Sequence, residues 1–248
     1  MPEHKRKIVV MIPTYNEAEN IQALVREILA LPIADDLHVL VVDDDSPDGT
    51  AGFIQAMAED DPRAHVIIRK KRRGRGAAGI DGFKAALALG ADLVVEMDGD
   101  FSHQPRFIPA LMAEMEHTDV AIGSRFIIGA ADFNRSVARR MITWFVRQFI
   151  RRRFRTSIRD VSSGFRCFKR QILEKLDLDD LVSVGPSIVL EILYKLILMG
   201  ASIREVPIVF IDRRKGQTKL SGRTLIKTLL MALKFRKIYG PPPLRGSG

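Results

Sequence analysis

Apolar residues in the first half of the chain fall in short continuous runs, separated by longer stretches of helical period. Residues 7–11 form one run, 37–42 a second, 65–68 a third, 93–97 a fourth and 119–122 a fifth. Between the first two, residues 17–30 place Ile21, Leu24, Val25 and Ile28 at the spacing of one helix face. The turn at 47–50 leads into a helix reaching Glu59, residues 76–89 make a third helix, and 105–115 a fourth with proline near its first turn. Strands that are apolar throughout, alternating with helices, are covered on both faces. The pattern therefore predicts an α/β fold with a mostly parallel central sheet flanked by helices.

The alternation breaks after residue 122. Residues 134–159 read as a very basic helix, 164–168 as a strand, 190–199 as a helix, 203–211 as one strand and 224–236 as an amphipathic helix, while 241–248 read as a disordered tail. The expected organisation is one domain over 1–240, with basic amphipathic helices at about 134–159 and 221–238.

Composition narrows the class. With 248 residues, 46% hydrophobic and 28% charged, the chain has material for a full core. Cys167 is its single cysteine, so neither an intrachain disulfide nor a cysteine zinc cluster forms, and a reducing compartment fits. The opening residues are charged and their apolar run is too short for a signal peptide. No window reaches the ~20 apolar residues that span a bilayer; 187–201 is interrupted by Glu191 and Lys195. The expectation is a protein that does not cross a membrane unaided. The net charge of +9 points to anionic partners: nucleic acid, anionic lipid or phosphorylated substrates.

In open parallel sheets ligands bind beyond the carboxyl ends of the strands. Residues 12–17 (Ile-Pro-Thr-Tyr-Asn-Glu) follow the first strand, 43–49 (Asp-Asp-Asp-Ser-Pro-Asp-Gly) the second and Asp98-Gly99-Asp100 the fourth. Acidic groups from separate strands thus meet at one edge, tolerable where a divalent cation or ligand hydrogen bonds offset their charge. Asp98 and Asp100, two residues apart after a buried strand, suit Mg²⁺ or Mn²⁺ bridging a diphosphate.

Six runs in order carry a resemblance. They are 12–17, 41–50 (Val-Val-Asp-Asp-Asp-Ser-Pro-Asp-Gly-Thr), 97–103 (Met-Asp-Gly-Asp-Phe-Ser-His), Gly-Ser-Arg at 123–125, Ser-Gly-Phe-Arg at 163–166 and Arg-Lys-Gly-Gln-Thr-Lys-Leu at 214–220. Together the chain resembles the glycosyltransferase 2 family, within it the dolichyl/polyprenyl-phosphate mannosyltransferases. The resemblance implies a GT-A (Rossmann-like) fold and inverting transfer of mannose from GDP-mannose to a polyprenyl phosphate. It implies a nucleoside pocket of Pro13, Tyr15 and Glu17, base and ribose contacts from Val42 and Asp44, and a metal–diphosphate site of Asp98, Asp100 and Ser102, with Gly99 where alanine is usual. Arg125, Arg213 and Lys219 are the implied phosphate-binding cations. Arg139 and Thr143 match the family's Arg-x-x-x-Ser acceptor-phosphate pattern, with threonine for serine. Asp100, Arg125, Arg139 and Arg213 are the implied catalytic set. Two anions reacting with one another need such cations. An ionised phosphate acceptor needs no general base, and none is assigned; Asp160 stands before Ser-Gly-Phe-Arg where many relatives have an acid, and pairing with Arg159 or Arg166 is the alternative to a role there.

The run Gly74-Arg75-Gly76-Ala77-Ala78-Gly79 matches a dinucleotide fingerprint but sits in the third βα unit, behind the basic run 69–73. A loop near the donor phosphates is the stronger expectation. Residues 134–159 hold nine arginines and no acid, with Val137, Met141, Trp144, Phe145 and Phe149 at helical spacing. Such a helix suits a membrane interface, as does 221–238. The expectation is peripheral association with the cytoplasmic face of a membrane, with room for a separate membrane-anchoring subunit. Nucleic acid is not expected, because no recognised binding module accompanies the charge. The rivals are a relative using another donor such as UDP-glucose, and a non-catalytic basic membrane- or nucleic-acid-binding module.

Overall fold

The computed structural model describes residues 5–71, 73–133, 137–211 and 222–243. The first half alternates as expected: β1 (Lys7–Thr14), α1 (Ile21–Leu29), β2 (Asp36–Asp43), α2 (Thr50–Asp60), β3 (Ala64–Ile68), α3 (Arg75–Ala88), β4 (Leu93–Glu96), α4 (Ile108–Glu114) and β5 (Val120–Ser124). Then come β6 (Ala131–Phe133), α5 (Val137–Phe154), β7 (Arg166–Lys169), α6 (Arg170–Lys175), α7 (Ile188–Leu198), β8 (Ile203–Pro207), β9 (Val209–Ile211) and α8 (Gly222–Tyr239). Seven strands form the central sheet in the order β3-β2-β1-β4-β7-β5-β8, all parallel except β7. Helices α1, α2 and α4 supply the core on one face; α3, α5, α6, α7 and α8 supply it on the other. Within β7 successive residues serve opposite cores, Cys167 one and Phe168 the other.

Several boundaries differ from the sequence pattern for local reasons. Helix α1 begins at Ile21 rather than Glu17, because Asn16 is left-handed (φ 57°) and Glu17 C=O closes a turn by accepting from the Asn20 and Ile21 N–H groups. Helix α5 ends at Phe154 rather than near 159: Arg155 turns left-handed (φ 53°) and sends Ile158 and Val161 into the core. The expected single strand 203–211 is two. Pro207 has no N–H to extend the ladder with β5, and the chain peels away so that β9 pairs with β6 in a separate two-stranded sheet. The expected loose tail at 241–248 starts packed: Pro242 is buried and its carbonyl accepts from Arg155 Nη1 at 3.0 Å, while 244–248 lie outside the described residues.

Helices α5 and α8 each carry two apolar sides. On α5, Val146, Ile150 and Phe154 pack into the core while Met141, Ile142, Trp144, Phe145 and Phe149 are exposed. On α8, Ala232 and Phe235 are buried while Ile226, Leu230, Leu233 and Ile238 are exposed. The helices are neighbours, with Phe154 and Phe235 ring centroids 6.4 Å apart and Arg153 Nη2 donating to Leu233 C=O at 3.4 Å. No helix among the described residues is long and apolar enough to cross a membrane.

Candidate active site

A cleft of about 390 Å³ opens at the carboxyl edge of β1, β2 and β4, lined by Pro13, Thr14, Tyr15, Glu17, Asp44, Arg73, Gly74, Arg75, Ala78, Asp98 and Gly99. A hollow of similar size at the amino ends of the strands, about Lys5, Asp36 and Arg63, has no comparable strand-end cluster. Three left-handed residues shape the loops on the cleft side: Asn16 after β1, Asp45 after β2 and Phe101 after β4. Asparagine and aspartate tolerate that conformation; for phenylalanine it stores strain, held by the packing around it.

The loops are pinned by their acids. Asp43 accepts from Thr14 Oγ1 at 3.0 Å and from Ser46 N–H at 2.8 Å, tying β1 to β2. Asp48 accepts from Ala18 N–H and Thr50 N–H, each at 3.0 Å; burial works against its charged form, but Thr50 and those N–H groups hold its pKa below the ordinary value. Asp44 is buried and already engaged: Arg69 pairs with one oxygen and Gly74 N–H donates to the other at 2.6 Å. Arg73 reaches Asp45 at 2.8 Å. Arg69 and Arg73 thus fold back on the acidic run after β2. The glycine-rich turn brings Arg73, Gly74 and Arg75 into the wall of the cleft.

After β4, Asp98 and Asp100 are half-buried. Asp98 Oδ1 receives Arg75 Nη2 at 2.9 Å, and Asp100 Oδ1 receives the Ser102 N–H at 3.0 Å. His103 Nδ1 accepts from the Asp98 N–H at 3.1 Å, and its ring stacks on Phe165 with centroids 5.1 Å apart. Burial holds its pKa down, so the neutral ring braces the turn from behind. Among the described residues, no group of three or more histidines, cysteines or acids is gathered to hold a metal. The Asp98–Asp100 turn offers two half-buried carboxylates, the oxygen donors that hard divalent cations such as Mg²⁺ take.

Of the residues picked from sequence, Pro13, Tyr15, Glu17, Asp44, Asp98 and Gly99 line this cleft together. Val42 does not; its side chain is fully buried beneath α3, close to Gly82. Ser102 is buried behind the turn. Arg213 and Lys219 lie outside the described residues, and Arg139 falls in the first turn of α5 with its side chain outside them too.

On the other side of Asp98, Arg125 is nearly enclosed. Its Nε and Nη2 each meet one oxygen of Asp160 at 2.7 Å, and its guanidinium lies 5.0 Å from the Phe210 ring centroid. Asp160 therefore pairs with Arg125, not with Arg159 or Arg166. Arg166 is fully buried, donating to Val189 C=O at 2.9 Å, and burial lowers its pKa to about 10. Thr143 is half-buried on α5. One turn on, Arg147 lays its guanidinium 4.1 Å from the Phe126 ring centroid, and its Nε is buried without a hydrogen-bond partner. Burial lowers its pKa; Asp160 and Glu205 pull the other way, and Arg151 and Arg125 add to the depression.

Residues 9–177 match the model of glycosyl transferase family 2. The chain belongs to that family. Family 2 relatives include an undecaprenyl-phosphate mannosyltransferase of Micrococcus luteus, 37% identical over 217 residues that make up 87% of this chain and 88% of that one. A polyprenol monophosphomannose synthase of Mycolicibacterium smegmatis is 37% identical over 93% of this chain and 87% of its own length. A dolichol-phosphate mannosyltransferase of Pyrococcus furiosus is 35% identical over 94% of this chain and 65% of its own. In fold, the chain resembles a glucosyl-3-phosphoglycerate synthase of Mycobacterium tuberculosis, solved with Mn²⁺, UDP and glucosyl-3-phosphoglycerate. That match has TM-score 0.66 at 19% identity and covers 96% of this chain and 81% of that one. The parallel sheet and flanking helices of this family 2 chain are thus the GT-A arrangement.

The sequence patterns of the family did not single out Arg69 or Arg75. Both stand in charged or glycine-rich stretches, and the cleft-side acids they meet, Asp44 for Arg69 and Glu96 and Asp98 for Arg75, lie more than twenty positions away, while Arg69 also pairs with the nearer Asp81.

Proposed function

We propose that the chain moves mannose from GDP-mannose to a polyprenyl phosphate, giving polyprenyl-phosphate mannose and GDP with inversion at the anomeric carbon. The observation that carries this is the cleft itself. Strand-end acids of β1, β2 and β4 meet at one edge, Arg73 and Arg75 stand in its wall, and the relatives matched over 88% and 87% of their length are an undecaprenyl-phosphate mannosyltransferase and a polyprenol monophosphomannose synthase.

In this scheme residues 1–240 act as one catalytic domain. Tyr15, exposed at the rim, offers its ring to the base, while Glu17 and Asp44 offer carboxylate oxygens to base and ribose N–H and O–H groups. Asp44 has capacity for this although Arg69 and Gly74 already engage it, because a carboxylate accepts about four hydrogen bonds. Asp98 and Asp100, with Ser102 beside them, would hold Mg²⁺ or Mn²⁺. Bound there, the ion supplies charge neutralisation for the departing diphosphate. Arg125, Arg139, Thr143 and Arg213 form the acceptor-phosphate side, with Lys219 on the donor diphosphate. The acceptor oxygen is ionised near neutral pH and attacks without a general base, so the chain's task is to orient two anions and offset their repulsion. Arg147, beside Arg125 with its Nε unpartnered, joins this side as a further cation.

The exposed apolar residues of α5 and α8, set among arginines and lysines, would rest on the cytoplasmic face of the membrane that carries the lipid acceptor. A transfer assay tests the whole scheme: purified chain, polyprenyl phosphate in detergent, and either GDP-mannose or UDP-glucose, with and without Mn²⁺. Lipid-linked mannose that needs both GDP-mannose and metal is expected, falling about 10²–10³-fold in Asp100→Ala. Transfer from UDP-glucose alone would overturn the donor assignment; unchanged transfer in Asp100→Ala would overturn the metal site.

A further inference from the structure

Beneath the cleft, two acids share one arginine. Glu96, the last residue of β4, is 1% exposed. Arg75, the first residue of α3, donates from Nη1 to Glu96 Oε1 at 3.1 Å and from Nη2 to Asp98 Oδ1 at 2.9 Å. Glu96 Oε2 has no hydrogen-bond partner. The guanidinium lies so close to Gly164 that a Cβ there would collide with Nη2. Its seat is thus cut into the fold from three sides, by β4, by the β4 turn and by the Ser-Gly-Phe-Arg loop. Burial pushes the Glu96 carboxyl up while Arg75 and Arg166 pull it down, and the charged arginine is stabilised by Asp98 and Glu96 against its own burial.

This geometry sets up a competition. Arg75 lines the cleft and holds an oxygen of the carboxylate assigned above to the metal. An ion arriving alone would have to draw Asp98 from Arg75 and stand beside a guanidinium left with Glu96 as its one remaining acid of the pair. A nucleoside diphosphate arriving alone would meet Asp98 and Asp100. Arriving together, each removes the other's cost: the ion takes Asp98, and the diphosphate supplies Arg75 with a new anion while Nη1 stays on Glu96.

We propose that Arg75 is a positioning residue that holds Asp98 in the metal-free site and turns to the donor diphosphate when a divalent ion takes Asp98, so that ion and nucleotide bind cooperatively. This rests on the assignment of Asp98 as a metal ligand. It goes beyond that assignment by making the order and coupling of binding a property of one arginine. Coupling of this kind is reciprocal: GDP strengthens the ion by the same factor as the ion strengthens GDP.

The test is Mn²⁺ binding to the full chain, followed by the loss of the free-ion electron paramagnetic resonance signal, with and without GDP. Wild type should bind Mn²⁺ weakly alone and about tenfold or more tightly with GDP. The pair Arg75→Met/Glu96→Gln removes one positive and one negative charge together, leaving no buried acid unpaired and the net charge unchanged. In it, Mn²⁺ alone should bind about five- to tenfold more tightly than in wild type, and the GDP enhancement should fall below about threefold. Arg75→Lys, which keeps the charge but cannot bridge both acids, should also lose most of the enhancement, and it decides the matter if the double variant does not fold. Unchanged or weaker Mn²⁺ binding with the GDP enhancement intact overturns the role of Arg75 alone. Wild type that binds no Mn²⁺ even with GDP overturns this role and the metal assignment together.

Discussion

Arg125 and Asp160 form a bidentate pair, Nε to Oδ2 and Nη2 to Oδ1 both at 2.7 Å, with the Asp160 side chain fully out of solvent. Asp160 is itself held by the Arg125 N–H at 3.1 Å, and Glu205 fixes the loop by accepting from the Asp160 N–H at 2.8 Å. The Gly-Ser-Arg and Ser-Gly-Phe-Arg motifs are thereby joined, which fixes where the guanidinium of Arg125 faces. Its charge is half spent before any phosphate arrives, so Asp160 orients Arg125 as much as it neutralises it.

Asp160 makes stability depend on acid. Burial alone would raise its pKa, but Arg125, by charge and hydrogen bond, holds it below the ordinary value. A carboxyl depressed in the folded state contributes stability that is full above its unfolded pKa, about 3.9, and is lost as pH falls through the folded value. Asp160→Asn should cost about 3–5 kcal/mol at pH 7, because Arg125 is left buried without its counter-charge. It should then lose less than wild type on going from pH 5 to pH 2.5. Urea unfolding at the two pH values measures this, and parallel losses would count against the pair as the source.

Arg147 should matter to the acceptor more than to the fold. Its guanidinium sits on Phe126, its Nε lacks a hydrogen-bond partner, and burial, with smaller repulsion from Arg151 and Arg125, lowers its pKa against the pull of Asp160 and Glu205. Bringing a lipid phosphate beside it would relieve that repulsion and satisfy its donors. A hydrogen bond to a charged group is worth about 1.5–3 kcal/mol, so Arg147→Gln should raise the KM for polyprenyl phosphate at least about tenfold, with the KM for GDP-mannose unchanged. Equal changes in both constants would place Arg147 outside the acceptor side.

The sheet and its active edge were legible because both follow from position along strands. Apolar runs identify β1, β2 and β4, and whatever follows them stands at the carboxyl edge, which is why the acidic run after β2 and Asp98 could be picked out, while Asp44 within that run came from the resemblance. What lay beyond reach was pairing across the chain. Arg69 with Asp44 and Arg125 with Asp160 join residues 25 and 35 positions apart, and each arginine had several equally acidic candidates. Glu191 and Lys195 show the same limit. Their i,i+4 spacing reads as a surface salt bridge, yet Glu191 is buried and accepts from the Val182 and Ser183 N–H groups at 2.8 Å, while Lys195 pairs with Asp180 at 2.9 Å. Val42, carried over from the resemblance, sends its side chain to the face of β2 that lies under α3 and not into the cleft lining.

Membrane binding should depend on the outer face of α5. Trp144 and Phe145 are 48% and 62% exposed with ring centroids 4.9 Å apart, an apolar tip on the helix whose last turn carries Arg151, Arg152 and Arg153. Burying one such side chain is worth about 1.5–3 kcal/mol. Trp144→Ser with Phe145→Ser should therefore reduce flotation with anionic liposomes at least about tenfold while the unfolding midpoint stays close to wild type. Replacing Arg151, Arg152 and Arg153 by glutamate should weaken flotation too, by about 1 kcal/mol per basic residue lost from the surface, and raised salt should mimic it. Flotation indifferent to both changes would leave the basic helices without a membrane role.

A last prediction concerns how α8 reaches the donor cleft. Tyr239, at the end of α8, donates to Glu191 at 2.5 Å, and Glu191 in turn fixes Val182 and Ser183. The next residue, Val184, accepts from the Gly76 N–H at 2.8 Å, and a Cβ on Gly74 or Gly76 would strike this loop. A chain of contacts thus runs from an exposed helix to the turn that presents Arg75. Tyr239→Phe removes one donor from a buried carboxylate that keeps its two backbone N–H partners, so the cost in stability should be modest, about 1–2 kcal/mol. The larger effect should appear in the loop. Hydrogen exchange at Val182–Val184 should quicken and the KM for GDP-mannose should rise a fewfold, while Tyr239→Ala, which also removes the ring packed near Lys195, should do more of both. Faster exchange without any change in donor KM would mean that the loop braces the fold but does not shape the cleft.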